Sequence, residues 1–126
     1  PAPCESVLPM IVTAHLYSGR PNPTWPLDDA GGAELARRLA SLPAVPAPQA
    51  PSPRLGYRGL GVTLPGDVLE GCTSVRVMHG RVRAECPDGP RELLDDDRAL
   101  ERWLLHRARG SLPDRVVSSI ARAAGL

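Results

Sequence analysis

The residues best equipped for chemistry stand close together near the amino end, in the run Ser-Gly-Arg-Pro-Asn-Pro-Thr-Trp at 18–25. Arg20 offers a planar fork that fits a carboxylate or a phosphate. Asn22 adds an amide, and Trp25 adds a flat aromatic surface. Pro21, Pro23 and Pro26 stiffen the backbone, so the loop loses little entropy when its polar groups meet a ligand. The same residues also describe a plain structural turn, with Trp25 anchored in the core and Arg20 tied to loop carbonyls.

A second constellation lies at 73–86, which reads as a β-hairpin. A two-residue turn at His79-Gly80 sets Val77 against Val82 and Val75 against Ala84. One face is then apolar and the other carries Arg76, Arg81 and Arg83 as a possible anion face. A three-residue loop would set Cys72 opposite Cys86, but it would mix valines with arginines on both faces. The first register is preferred, and in it Cys72 and Cys86 point to opposite sides, so no bridge between them is expected. Like charges across a ladder repel. The basic face therefore calls for an acidic partner, either within the chain or on an external anion.

Catalytic and metal-binding patterns are weak. His15, His79 and His106 are far apart in sequence, and no pair has ligand spacing. His15 reads as a hydrogen-bonded residue of a strand. The Asp95-Asp96-Asp97 run lacks the alternating ligands of a calcium loop and reads instead as a helix start. There is no nucleophile elbow and no phosphate-cradling glycine loop. A Cys–His pair built from Cys72 or Cys86 with His15 or His79 would need tertiary contact. No catalytic residue, metal or cofactor is assigned.

The run at 18–25, the Gly-Tyr-Arg-Gly at 56–59 and a helix reading Leu-Glu-Arg-Trp-Leu-Leu at 100–105 together resemble a pattern in small, largely uncharacterised bacterial proteins. The resemblance spans most of the chain apart from a proline-rich stretch, and it brings no activity or cofactor with it. It implies that Arg20, Asn22, Trp25, Tyr57 and Arg58 belong to one ligand-binding feature.

The elements that must position these groups follow from periodicity. Residues 10–17 alternate as a strand with Val12 and Ala14 on one face and Ile11, Thr13 and His15 on the other; both faces are fairly apolar, which suggests a central strand. Residues 24–27 read as a short return strand. A helix capped by Asp28 or Asp29 carries Leu35, Leu39 and Leu42 at helical spacing. Residues 43–53 hold five prolines and read as an extended, solvated connector. Residues 55–64 resume strand character, interrupted by glycines. After the hairpin, Pro87 to Pro90 form a turn. A helix then buries Leu100, Trp103, Leu104 and Ala108, and a last helix carries Val116, Val117, Ile120, Ala121 and Ala124 on its inner face.

This mixture predicts an α+β fold, a small mainly antiparallel sheet with about three helices packed against it, in one domain over 1–126. The 126 residues contain no Phe, so aliphatic side chains with a few large rings must make the core. Fifteen arginines, with no lysine, face fourteen acidic residues for a formal charge of +1. That balance argues against wholesale coating of nucleic acid, which would need a broad basic field and stacking aromatics. No apolar stretch is long enough to span a bilayer. The chain reads as a soluble protein, cytoplasmic in preference to secreted, and an oligomer is open.

Two functional readings emerge. The first is a non-enzymatic binding or interaction module that uses the proline-rich loop to contact a protein or a small anionic ligand. The second is a small enzyme, or an accessory subunit, with a Cys/His site assembled in the fold.

Overall fold

The computed structural model describes residues 10–16, 21–45, 57–65, 69 and 71–126. Six strands form one antiparallel sheet in the order β2-β1-β3-β4-β5-β6. They are β1 (Met10–Ala14), β2 (Thr24–Leu27), β3 (Leu60–Thr63), β4 (Ser74–Met78), β5 (Arg81–Cys86) and β6 (Gly89–Leu94). Three helices complete the α+β fold: α1 (Asp29–Ser41), α2 (Ala99–His106) and α3 (Asp114–Ala124). None of them is long and apolar enough to cross a membrane.

Burial alternates along β1 to β5, so the sheet has one apolar face and one polar face. Val12 and Ala14, Trp25 and Leu27, Leu60 and Val62, Val75 and Val77, and Val82 and Ala84 turn to the apolar side. There they form one core with Leu35 and Leu39 of α1, Leu100 and Leu104 of α2, and Ile120 of α3. β1 is interior in the sheet order, yet it is buried on one face only: Ile11, on the other, is 38% exposed. An interior position therefore did not require two buried faces, because the helices pack on a single side.

The hairpin adopts the two-residue register. Val77 pairs with Val82, Val75 with Ala84, and Arg76 with Arg83. His79 and Gly80 both have positive φ, 50° and 85°, the turn whose twist matches the strands it joins.

β6 is the element that the sequence reading lacks. Pro90 argues against a strand, but β6 is an edge partner of β5, where a missing amide is tolerated. Its outer side is met by the start of the proline-rich stretch. The Val45 amide donates to the Glu92 carbonyl and the Leu94 amide to the Pro43 carbonyl, at 2.9 and 2.8 Å. That part of the stretch is thus paired backbone rather than solvated connector; residues 46–53 lie outside the described residues.

Cys72 and Cys86 are joined by a disulfide, with Cα atoms 3.9 Å apart, which corrects the expectation that they face apart. The alternation of sides holds only while the ladder is regular. It ends at Thr73, whose amide donates to the Glu85 carbonyl at 2.8 Å, next to Gly71 at φ 82°. The chain turns there, and Cys72 comes round to Cys86 without disturbing the valine register.

Two carboxylates organise the helices. The Asp28 side chain caps α1 by accepting from the Gly31 amide at 2.6 Å. Asp95 is buried and accepts from the Leu100 and Glu101 amides at 2.8 and 3.0 Å, satisfying donors that a helix start leaves open. A single 3₁₀ turn, Asp96–Arg98, separates this cap from α2. Arg98 has φ 56°, and its guanidinium reaches the Ala124 carbonyl at 2.6 Å at the carboxyl end of α3. A cation there is favoured by the helix dipole.

Candidate functional site

The polar face of the sheet carries an open groove of about 760 Å³. One cross-strand row runs through it, Thr13–Gly61–Arg76–Arg83–Glu92, each residue directly paired with the next. Alternation dictates this row from Thr13 to Arg83: each of these members is one residue out of phase with the buried aliphatic residues beside it.

The three hairpin arginines have separate fates. Arg83 Nε lies 3.1 Å from a Glu85 carboxylate oxygen. Arg81 Nη1 lies 3.8 Å from Glu92 Oε1, too far for a hydrogen bond, and no other acceptor among the described residues reaches it. These two have the internal acidic partners that the basic face required. Arg76 has none among the described residues. Its Nη1 donates instead to the Arg58 carbonyl at 3.3 Å. Arg58 itself is exposed, lines the same groove, and also has no carboxylate within ion-pair distance among the described residues.

His15 completes this end of the groove. Its backbone is clamped on both sides, its amide donating to Gly59 and its carbonyl accepting from Arg58, at 2.9 and 2.7 Å. Its ring stands over Gly61. A methyl group placed on Gly61 would lie 2.7 Å from His15 Nε2 and 3.7 Å from Arg76 Nε. A side chain at this position would push the imidazole aside, so glycine lets imidazole and guanidinium share the space. Gly59 serves the same end, with φ 99° and the Val77 carbonyl 2.9 Å from where a Cβ would sit.

The electrostatics follow from this crowding of like groups. His15 is held below its ordinary value of 6.5 by burial first, then by Arg76 and Arg58. Arg76 is also lowered, by desolvation against the groove wall and then by Arg58. Uncompensated cations in partial burial disfavour their own charged forms.

No protein-family model, characterised protein or solved structure matches this chain.

The five residues grouped by the resemblance do not form one surface. Trp25 is 1% exposed, and its Nε1 donates to the Leu104 carbonyl at 3.1 Å. It is a core anchor, not an outward contact. Tyr57 is also buried. Its hydroxyl donates to Glu101, whose other oxygen accepts from Arg98 Nε at 3.0 Å. Burial, then the Glu101 hydrogen bond and charge, push the Tyr57 hydroxyl far above its ordinary range. Asn22 pins the loop by accepting from the Leu16 amide at 3.0 Å. Arg20 lies outside the described residues. Of the five, Tyr57 and Arg58 line the groove with Arg76, Tyr57 as a buried wall and Arg58 as an exposed cation.

His15 and Gly61 were missed as site residues. The signal was available, because alternation already put His15 opposite Val12 and Ala14. What sequence cannot supply is the register of β1 on β3 that brings Gly61 beneath it.

Proposed function

We propose that this chain is a non-enzymatic binding module that captures the anionic group of a ligand in the groove on its open sheet face. Arg58 and Arg76 grip the group, and His15 lies beside them. The observation that carries this reading is the convergence of these side chains with no carboxylate set against Arg58 or Arg76 among the described residues, whereas Arg81 and Arg83 have theirs. An external anion would supply the missing charge, and guanidinium forks are suited to it. The proline-rich loop lies between β1 and β2 in sequence, and its residues 18–20 are outside the described residues. Its indole, however, belongs to the core.

The enzyme reading lacks a comparable support. Cys72 and Cys86 are bonded to each other, so neither offers a thiolate nucleophile.

Thermal unfolding in millimolar acetate, phosphate and sulfate tests the proposal on wild type and Arg76→Ala. Sulfate and phosphate also stabilise proteins by exclusion from the surface, so the difference between the two proteins is the readout. The expected result is an anion-dependent rise in Tm for wild type that Arg76→Ala loses, while its anion-free Tm is unchanged or higher. Equal responses of both proteins to every anion would overturn the reading.

A further inference from the structure

We propose that the group taken by this groove is a tetrahedral dianion, a phosphate monoester or inorganic sulfate, and that His15 takes up a proton as it binds; this rests on the anion-capture reading above. Arg58 and Arg76 bring two positive charges with no carboxylate against them among the described residues. A monocarboxylate would leave one of these charges unanswered, and a dianion answers both. Direction points the same way. A planar carboxylate is satisfied by one guanidinium fork. Here the groups approach from three separate pieces of chain: His15 after β1, Arg58 before β3, and Arg76 on β4. Nε2 of His15 and Nε of Arg76 converge over Gly61, with Thr13 its cross-strand neighbour.

The proton follows from the same geometry. In the free protein His15 faces two cations, and its neutral form is favoured. A neutral imidazole brings Nε2 to an anion as donor in only one tautomer, whereas the imidazolium donates from both nitrogens. A dianion held by Arg76 and Arg58 reverses the local field and favours the charged ring. The charge balance is simple: one proton passes from solvent to His15, and the site gains the third positive group that the dianion faces.

Other titratable groups on the groove are accounted for. Tyr57 stays neutral. The Arg81–Glu92 and Arg83–Glu85 pairs lie on the wall formed by β5 and β6. His79 sits at the hairpin tip in edge contact with the Tyr57 ring, 5.6 Å between centroids. Histidine is the side-chain type in the groove that ordinarily titrates between about pH 5.5 and 8, which makes His79→Gln the control.

Calorimetric titration of the full chain with sodium sulfate at pH 5.5 to 8 tests the proposal, because sulfate stays dianionic throughout. The expected affinity falls with rising pH, by about tenfold per unit between the free and bound pKa values of His15. His15→Gln is expected to bind sulfate with a flat pH profile, and His79→Gln to keep the slope. Acetate is expected to bind at least about tenfold more weakly. Inorganic phosphate, mostly dianionic at pH 7.5, is expected to bind there as sulfate does. Acetate binding as tightly as sulfate, or a pH profile in wild type as flat as in His15→Gln, would overturn this inference while leaving anion capture standing if Arg76→Ala abolishes binding. Absence of binding by any of the three anions would overturn both.

Discussion

The indole Nε1 of Trp25 donates a hydrogen bond to the carbonyl of Leu104 at 3.1 Å, tying the edge strand β2 to the last turn of α2. Carbonyls in a last helical turn lack intrahelical partners, so a side chain from across the core supplies one. Trp25→Phe keeps most of the packing but strands this buried carbonyl, and should cost about 1–3 kcal/mol. Trp25→Ala should cost about 3–5 kcal/mol. Urea unfolding measures both. A Trp25→Ala protein of unchanged stability would contradict the core assignment.

Glu101 is fully buried between the Tyr57 hydroxyl and Arg98, and Arg98 in turn holds the end of α3. Glu101→Ala leaves both donors facing nothing and should destabilise by about 3–5 kcal/mol. Glu101→Gln keeps an acceptor oxygen and should cost less. Equal losses in the two variants would show that the negative charge alone, and not the acceptor oxygen and volume that Gln keeps, dominates at this position.

The Cys72–Cys86 bridge closes a short loop around the hairpin. Replacing both cysteines by serine should lower stability by about 2–4 kcal/mol. Alkylation of the unfolded, unreduced chain should label one of its three cysteines, Cys4. Labelling of all three would show that the bridge does not form.

His15 gives the folded protein a pH dependence of defined sign. Its folded-state pKa lies below the unfolded value of 6.5 because of burial, Arg76 and Arg58. As pH falls below about 6.5 the unfolded chain takes up this proton first, so the folded state loses stability until the folded-state pKa is passed. Above the unfolded value the contribution is constant. The urea midpoint of wild type should therefore fall from pH 7 to 5 more steeply than that of His15→Gln. A wild-type midpoint that falls no more steeply would contradict the placement of His15 among cations.

Much of the architecture was legible in sequence because alternation and turn chemistry are local. His79-Gly80 and the valine pattern fixed the hairpin register, and Asp28 announced α1. β6 was missed because an edge position excuses Pro90, and edge status is a property of the whole sheet. The disulfide was missed because the side rule fails where the ladder kinks at Thr73. The site was half legible. The basic face of Arg76, Arg81 and Arg83 could be read from the hairpin alone. Which arginine lacked a carboxylate depended on β6 supplying Glu92 and on the segment before β3 supplying Arg58. Trp25 and Tyr57 looked functional because large polar-tipped rings beside arginines suit ligands, yet the same rings suit a core that has no phenylalanine.

The central claim is that Arg58 and Arg76 hold an anion that the rest of the chain does not supply. The Nε–H resonances of the arginine side chains, followed by NMR during sulfate addition, test it most directly. The resonances of Arg76 and Arg58 should move saturably, while those of Arg83 and Arg37, which are paired with Glu85 and Glu34, stay in place. Uniform movement of all arginines, or none at Arg76, would contradict the account.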